Sequence, residues 1–168
     1  MLNINDKKYK NIVKDILRNN DFKKTYYIEH HGISRMEHMI KISFYSYKIA
    51  RKLGLDYKAV ARGGILHDFY LNGDERNYLN KFTDTFTHPN KALNLSTDTF
   101  NINEMEKNII VSHMFPFYIS IPKYRESILV NIVDKIIGGY ELFNEIKYKT
   151  KYKFNYTFLL LIIFITSN

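Results

Sequence analysis

The stretch Gly63-Gly64-Ile65-Leu66-His67-Asp68 sets an imidazole and a carboxylate side by side at the end of an apolar run. Its apolar neighbours bury the segment, and a buried Asp is costly unless something compensates its charge. A divalent cation is the most economical compensation. His38, His88, His113 and Asp134 supply further nitrogen and oxygen donors elsewhere in the chain. Asp134 falls within an apolar helical stripe, where it needs a partner as His67-Asp68 does. The chain has no cysteine, so disulfides and thiolate ligands are both excluded and imidazole and carboxylate remain as the strong metal donors. Such a donor set suits iron, manganese, cobalt, nickel or zinc.

The elements that must position these groups read as helices. An N-terminal helix is expected over residues 6–20, with Tyr9, Ile12, Val13, Ile16 and Leu17 on one face and lysines on the other. After a loop holding His30 and His31, Ser34 and Glu37 form a capping-box pattern that opens a second helix, with His38 in its first turns and Gly54 at its close. Asp56 is the expected N-cap of the helix that ends at His67-Asp68. Two glycines before that pair let another helix approach closely. Residues 71–87 read as a long polar loop, of the kind that often walls a substrate site. Pro89 suits the first position of a helix, which puts His88 at its N-terminal mouth. Asn103 and Glu106 start another helix that stops at Pro116, soon after His113. A last helix is expected over residues 124–143, with Val130, Val133, Ile137 and Tyr140 on its apolar face. Strand-like alternation is scarce, so the expected fold is all-α, a single-domain helical bundle over residues 1–168.

With 25 Lys and Arg against 17 Asp and Glu, the net charge is +8, which favours anionic partners. The lysines are scattered and no Arg/Lys recognition helix stands out, so nucleic acid is not the expected partner. No signal peptide is read at the N-terminus, and a cytoplasmic location is expected. In the tail, residues 147–168, alternating lysines precede the apolar run 158–165, too short to span a bilayer in the ordinary way. A packing segment, or contact with a membrane surface or a partner, is expected there.

Taken in order, His38, then His67-Asp68, then Asp134 resemble the H…HD…D pattern of the HD-domain superfamily of metal-dependent phosphohydrolases. The local forms are Arg35-Met36-Glu37-His38, Gly64-Ile65-Leu66-His67-Asp68 and Ile132-Val133-Asp134-Lys135, and the resemblance spans residues 32–143. His88 and His113 extend it to the members with a two-metal centre, among them the HD-GYP phosphodiesterases and bacterial dinucleoside tetraphosphate hydrolases. The GYP element is absent after His113, where the chain reads Met114-Phe115-Pro116. The resemblance implies one metal held by His38, His67, Asp68 and Asp134. It implies a second held by His88 and His113, with Asp68 bridging. It also implies hydrolysis of a small phosphorylated metabolite or nucleotide by a metal-activated water. Lys135 and Arg62 are the expected phosphate contacts. The alternative is a helical module that senses a nucleotide in the same pocket without turning it over.

Overall fold

A computed structural model describes the backbone over residues 4–30, 32–71 and 78–166, and the side chains of that span except at 78–86 and 152–166. The described chain is mostly helical, in line with the all-α expectation. Its elements are α1 (Lys7–Ile12), α2 (Lys14–Arg18), α3 (Asn20–Lys24), a 3-10 turn (Thr25–Tyr27), the ribbon β1 (Glu29–His30) and β2 (Ile33–Ser34), α4 (Arg35–Leu53), α5 (Tyr57–Leu66), α6 (Tyr78–Thr99), α7 (Glu104–Ser112) and α8 (Arg125–Thr166). The ribbon is antiparallel, pairing Glu29 with Ser34 and His30 with Ile33.

The expected N-terminal helix is broken into three. Val13 departs from helical geometry (φ −106°, ψ 14°), and Asn19 turns extended. Asn19 then accepts a hydrogen bond from the Phe22 amide and so caps α3 where the helix was expected to end. The apolar face is as read: Tyr9, Val13 and Ile16 are buried. The caps of the middle helices are also as read. Ser34 Oγ accepts from the Glu37 amide, and Asp56 Oδ1 accepts from those of Lys58 and Ala59. Gly54 closes α4 at φ +67°, a conformation that only glycine adopts freely. Asn103 and Glu106 form a reciprocal capping box at the start of α7.

Helices α4 and α5 form the central pair, α7 packs on α5, and α8 crosses both α4 and α7. The close approach of α5 rests on its glycines. A Cβ on Gly63 would lie 2.8 Å from Ile109 of α7, and one on Gly64 would lie 3.1 Å from the Ser43 backbone of α4. The core runs through Tyr9, Met39, Tyr47, Ile65, Leu66, Phe69 and Ile110, with a second cluster of Ile42, Val60, Ile109, Val130 and Val133.

Two expectations are corrected here. His88 does not sit at a helix mouth: α6 starts at Tyr78, and Pro89 lies inside it. The aromatic residues Tyr78, Phe82 and Phe86 recur every four positions, a helical period that extends the helix upstream of the proline. Residues 78–87 of the expected loop are therefore helical, while 72–77 lie outside the described residues. The last helix continues past residue 143 to Thr166, and Tyr140, expected on its apolar face, is exposed. The side chains of the apolar run 158–165 lie outside the described residues. Among the described residues no helix is long and apolar enough to cross a membrane.

Candidate metal centre

All six expected ligands converge at the junction of α4, α5, α6, α7 and α8. His38 projects from α4 and Asp134 from α8, with His38 Nε2 3.2 Å from Asp134 Oδ1. His67, at the C-cap of α5, places Nε2 3.6 Å from the same oxygen and 3.8 Å from Asp68 Oδ2. Asp68 Oδ1 lies 3.4 Å from Nε2 of both His88 and His113, and those two nitrogens are 3.0 Å apart. Two trios result, His38–His67–Asp134 and Asp68–His88–His113, each with its donor atoms within 4.8 Å of one another. Either trio can hold a metal ion. A third trio, His30–His38–Asp68, joins them at the edge.

The outer nitrogens of three imidazoles are tied down. His67 Nδ1 donates to the Gly64 carbonyl at 2.8 Å and His113 Nδ1 to the Ile110 carbonyl at 2.7 Å. Each is a contact back across one helical turn, available because the histidine ends its helix where that carbonyl has no helical partner. His38 Nδ1 instead faces Glu141 Oε2 at 2.7 Å, and Glu141 Oε1 accepts from Lys41 Nζ at 3.0 Å. With Nδ1–H bonded outward, Nε2 of a neutral ring carries an inward lone pair.

These lone pairs carry the test of fit to a metal. His67 Nε2 and Asp68 Oδ1 are buried and have no hydrogen-bond partner among the described residues. Such groups carry a full desolvation penalty unless a ligand satisfies them. His88 and His113 turn nitrogen toward nitrogen at 3.0 Å, which requires a proton or a cation between them. The donor set, four imidazoles and two carboxylates without thiolate, fits a first-row divalent metal.

Charge reinforces the geometry. Burial opposes ionisation of Asp68 and of Asp134, but the surrounding imidazoles outweigh it. Asp68 is driven well below the carboxylate range, mainly by His67, His113 and His88, and Asp134 is lowered by His38 and His67. Burial likewise disfavours a charged His38, yet Asp134 and Glu141 raise it to about 9. The protein thus holds its carboxylates ionised, and in the absence of a metal their charge is balanced by protons on the imidazoles.

Of the two expected phosphate contacts, Lys135 lies beside the centre and Arg62 does not. Lys135 Nζ donates to the His113 carbonyl at 3.0 Å. Arg62 is corrected to a structural role. Its Nη1 donates to Asp15 at 2.8 Å and to the Ile12 carbonyl, and its Nε pairs with Glu106 at 3.3 Å. It clamps α5 to the N-terminal segment, because Asp15 of α2 and the buried Glu106 of α7 both need a cation on that side.

Sequence reading missed two residues of the centre. Glu141 follows Asp134 by two helical turns, a spacing that puts both on one side of α8 and was the available signal. His30, expected only as part of the loop before α4, is half-buried with its ring 4.4 Å from that of His38. Only the hairpin, turned at Gly32 (φ +79°), brings it there. His31 lies outside the described residues.

Beside the centre is a cleft of about 440 Å³ lined by Phe115, Pro116, Ile121, Pro122, Ile128, Asn131 and Lys135. Phe117 is exposed outside it, and the Tyr118 hydroxyl is engaged by Asn90 Nδ2 at 2.7 Å. No family model, curated protein or solved structure matches the chain.

Proposed function

We propose that the chain is a metal-dependent phosphohydrolase of the HD-domain type, acting on a small phosphorylated metabolite or nucleotide. The observation that supports this most is the meeting of four inward imidazole nitrogens with two carboxylates, at which His67 Nε2 and Asp68 Oδ1 are buried without hydrogen-bond partners among the described residues. In this reading His38, His67, Asp68 and Asp134 hold one divalent ion, and His88, His113 and Asp68 hold a second. Bound there, the ions supply Lewis-acid polarisation of phosphoryl oxygens and a lowered pKa for water.

The chain's own groups do the remaining work. Asp68 is the carboxylate that faces both trios, and its ionised oxygens hold and orient the attacking water. Lys135 brings an ammonium with three donors to the edge of the cleft; one is spent on the His113 carbonyl, and the others are directed to a phosphoryl oxygen. His30, the least buried of the described imidazoles, exchanges protons between the centre and solvent. The phosphate itself is drawn in by the net positive charge of the chain.

The test is phosphate release from a panel of phosphomonoesters, nucleotides and dinucleoside polyphosphates by protein loaded with each candidate metal. Release that Asp68→Ala reduces by at least about 100-fold is expected. Lys135→Met should raise KM more than it lowers kcat. Tight nucleotide binding with no release from any substrate would favour a sensor instead.

A further inference from the structure

A surface helix of a soluble domain normally turns charged residues outward. The middle of α8 does not. Between Ile128 and Phe143 every exposed residue is uncharged and apolar in character: Ile128, Ile132, Ile136, Gly139, Tyr140, Leu142 and Phe143. At the helical angle of 100° per residue they occupy one side of the helix. Ile136 is 66% and Tyr140 67% exposed. The stripe is continued at one end by Ile146, and beside Ile128 by Ile121, which shares the cleft wall with it. Gly139, where nothing lies within 4 Å of a built Cβ, leaves a shallow place in the middle of the stripe.

We infer that this face of α8 is the interface of a homodimer in which the helix packs antiparallel against α8 of a second copy. Three observations choose that occupant. First, area: at roughly 100 Å² of exposed surface for each large apolar side chain, the stripe presents on the order of 800 Å², the share that each partner gives to a stable interface. Contiguous exposed apolar patches of that size mark interaction sites. Second, self-complementarity: a single row spaced by four residues matches itself about a twofold axis between Ile132 and Ile136, which sets Ile128 against Tyr140 of the second copy. Third, charge: Lys147, Lys149 and Lys151 are all exposed just beyond the stripe. A parallel pair would bring those lysines together, whereas the antiparallel pair sends them to opposite ends and opposes the helix dipoles. The same axis places Arg125 near Phe143 of the second copy, where a guanidinium can lie over the ring.

The test is sedimentation of the full chain at micromolar concentration, together with its variants. Wild type should sediment at twice the 20.1 kDa chain mass. Ile132→Glu and Ile136→Glu place carboxylates facing each other across the axis and should weaken the dimer by roughly 100-fold or more. Their helix content should be unchanged, since both positions are exposed. Leu53→Glu, exposed at the far end of α4, should leave the dimer intact. The absence of cysteine permits a check of direction. Mixed Ile128→Cys and Tyr140→Cys proteins should form a disulfide on mild oxidation. Neither should do so alone, because the axis separates like positions by about 18 Å. A wild-type monomer, a monomer that partitions onto anionic vesicles, or efficient cross-linking of Ile128→Cys with itself would overturn the inference.

Discussion

Glu141 is the residue through which the centre is held from behind. His67 and His113 are oriented by carbonyls of their own helices, but His38 depends on a carboxylate from α8 that is in turn neutralised by Lys41. Burial raises the pKa of Glu141, and the interactions with His38 and Lys41 override it to a net lowering, so the residue remains an anion. Glu141→Gln keeps the shape and removes the charge. Its expected effect is a loss of metal affinity of about 10- to 100-fold with circular dichroism unchanged, read by competition with a chelating dye. The same groups fix a pH dependence for the chelated protein. His38 is raised from 6.5 to about 9. Its stabilising contribution is therefore complete below 6.5 and is lost as pH climbs through about 9. Asp68 and Asp134 are lowered below 3.8, so theirs is present above that value and is lost on acidification. The urea midpoint of the metal-free protein should be highest between these limits and fall toward pH 9. Substitution of His38 by Gln should flatten the alkaline side.

At the scale of elements, the distances above depend on how closely α5 lies against α4 and α7. Gly63→Ala must displace Ile109, a branched side chain in a packed core, and should lower stability by about 1–3 kcal/mol in thermal unfolding. The link between α7 and α8 is held by Asn131, whose Nδ2 donates to the carbonyls of Ser112, His113 and Phe115. Asn131→Leu leaves those carbonyls without that donor and should cost about 1–3 kcal/mol. It should also loosen His113, and with it the second metal equivalent. The middle helices were legible in the sequence because their ends carry local signals: Ser34, Asp56 and Asn103 cap, and Gly54 terminates. Helix α6 was not, because Pro89 looks like a start when read locally, and only the upstream aromatic period says otherwise. The break at Val13 had no signal in the apolar periodicity, which runs through it from Tyr9 to Leu17, whereas the break at Asn19 falls where that periodicity stops and the helix was expected to end.

For the whole molecule, the convergence of the six ligands was legible from residue type and order, since buried imidazoles and carboxylates on separate helices have few other ways to be satisfied. The exposed row of Ile128, Ile132 and Ile136 on α8 was not, because isoleucines spaced by four carry the same helical period as the buried face read from Val130, Val133 and Ile137. Metal binding should be linked to folding of the entire domain, because the ligands come from five helices. Loading with the preferred metal should raise the melting temperature, and EDTA should return it to the apo value, following the mass-action dependence on free metal. The most direct measurement is elemental analysis of the purified, metal-loaded protein alongside Asp68→Ala and His113→Ala. Near two equivalents of a transition metal per chain, lost in Asp68→Ala and halved in His113→Ala, is the predicted result. No bound metal under any loading condition, with all three proteins folded, would contradict a metal-dependent hydrolase.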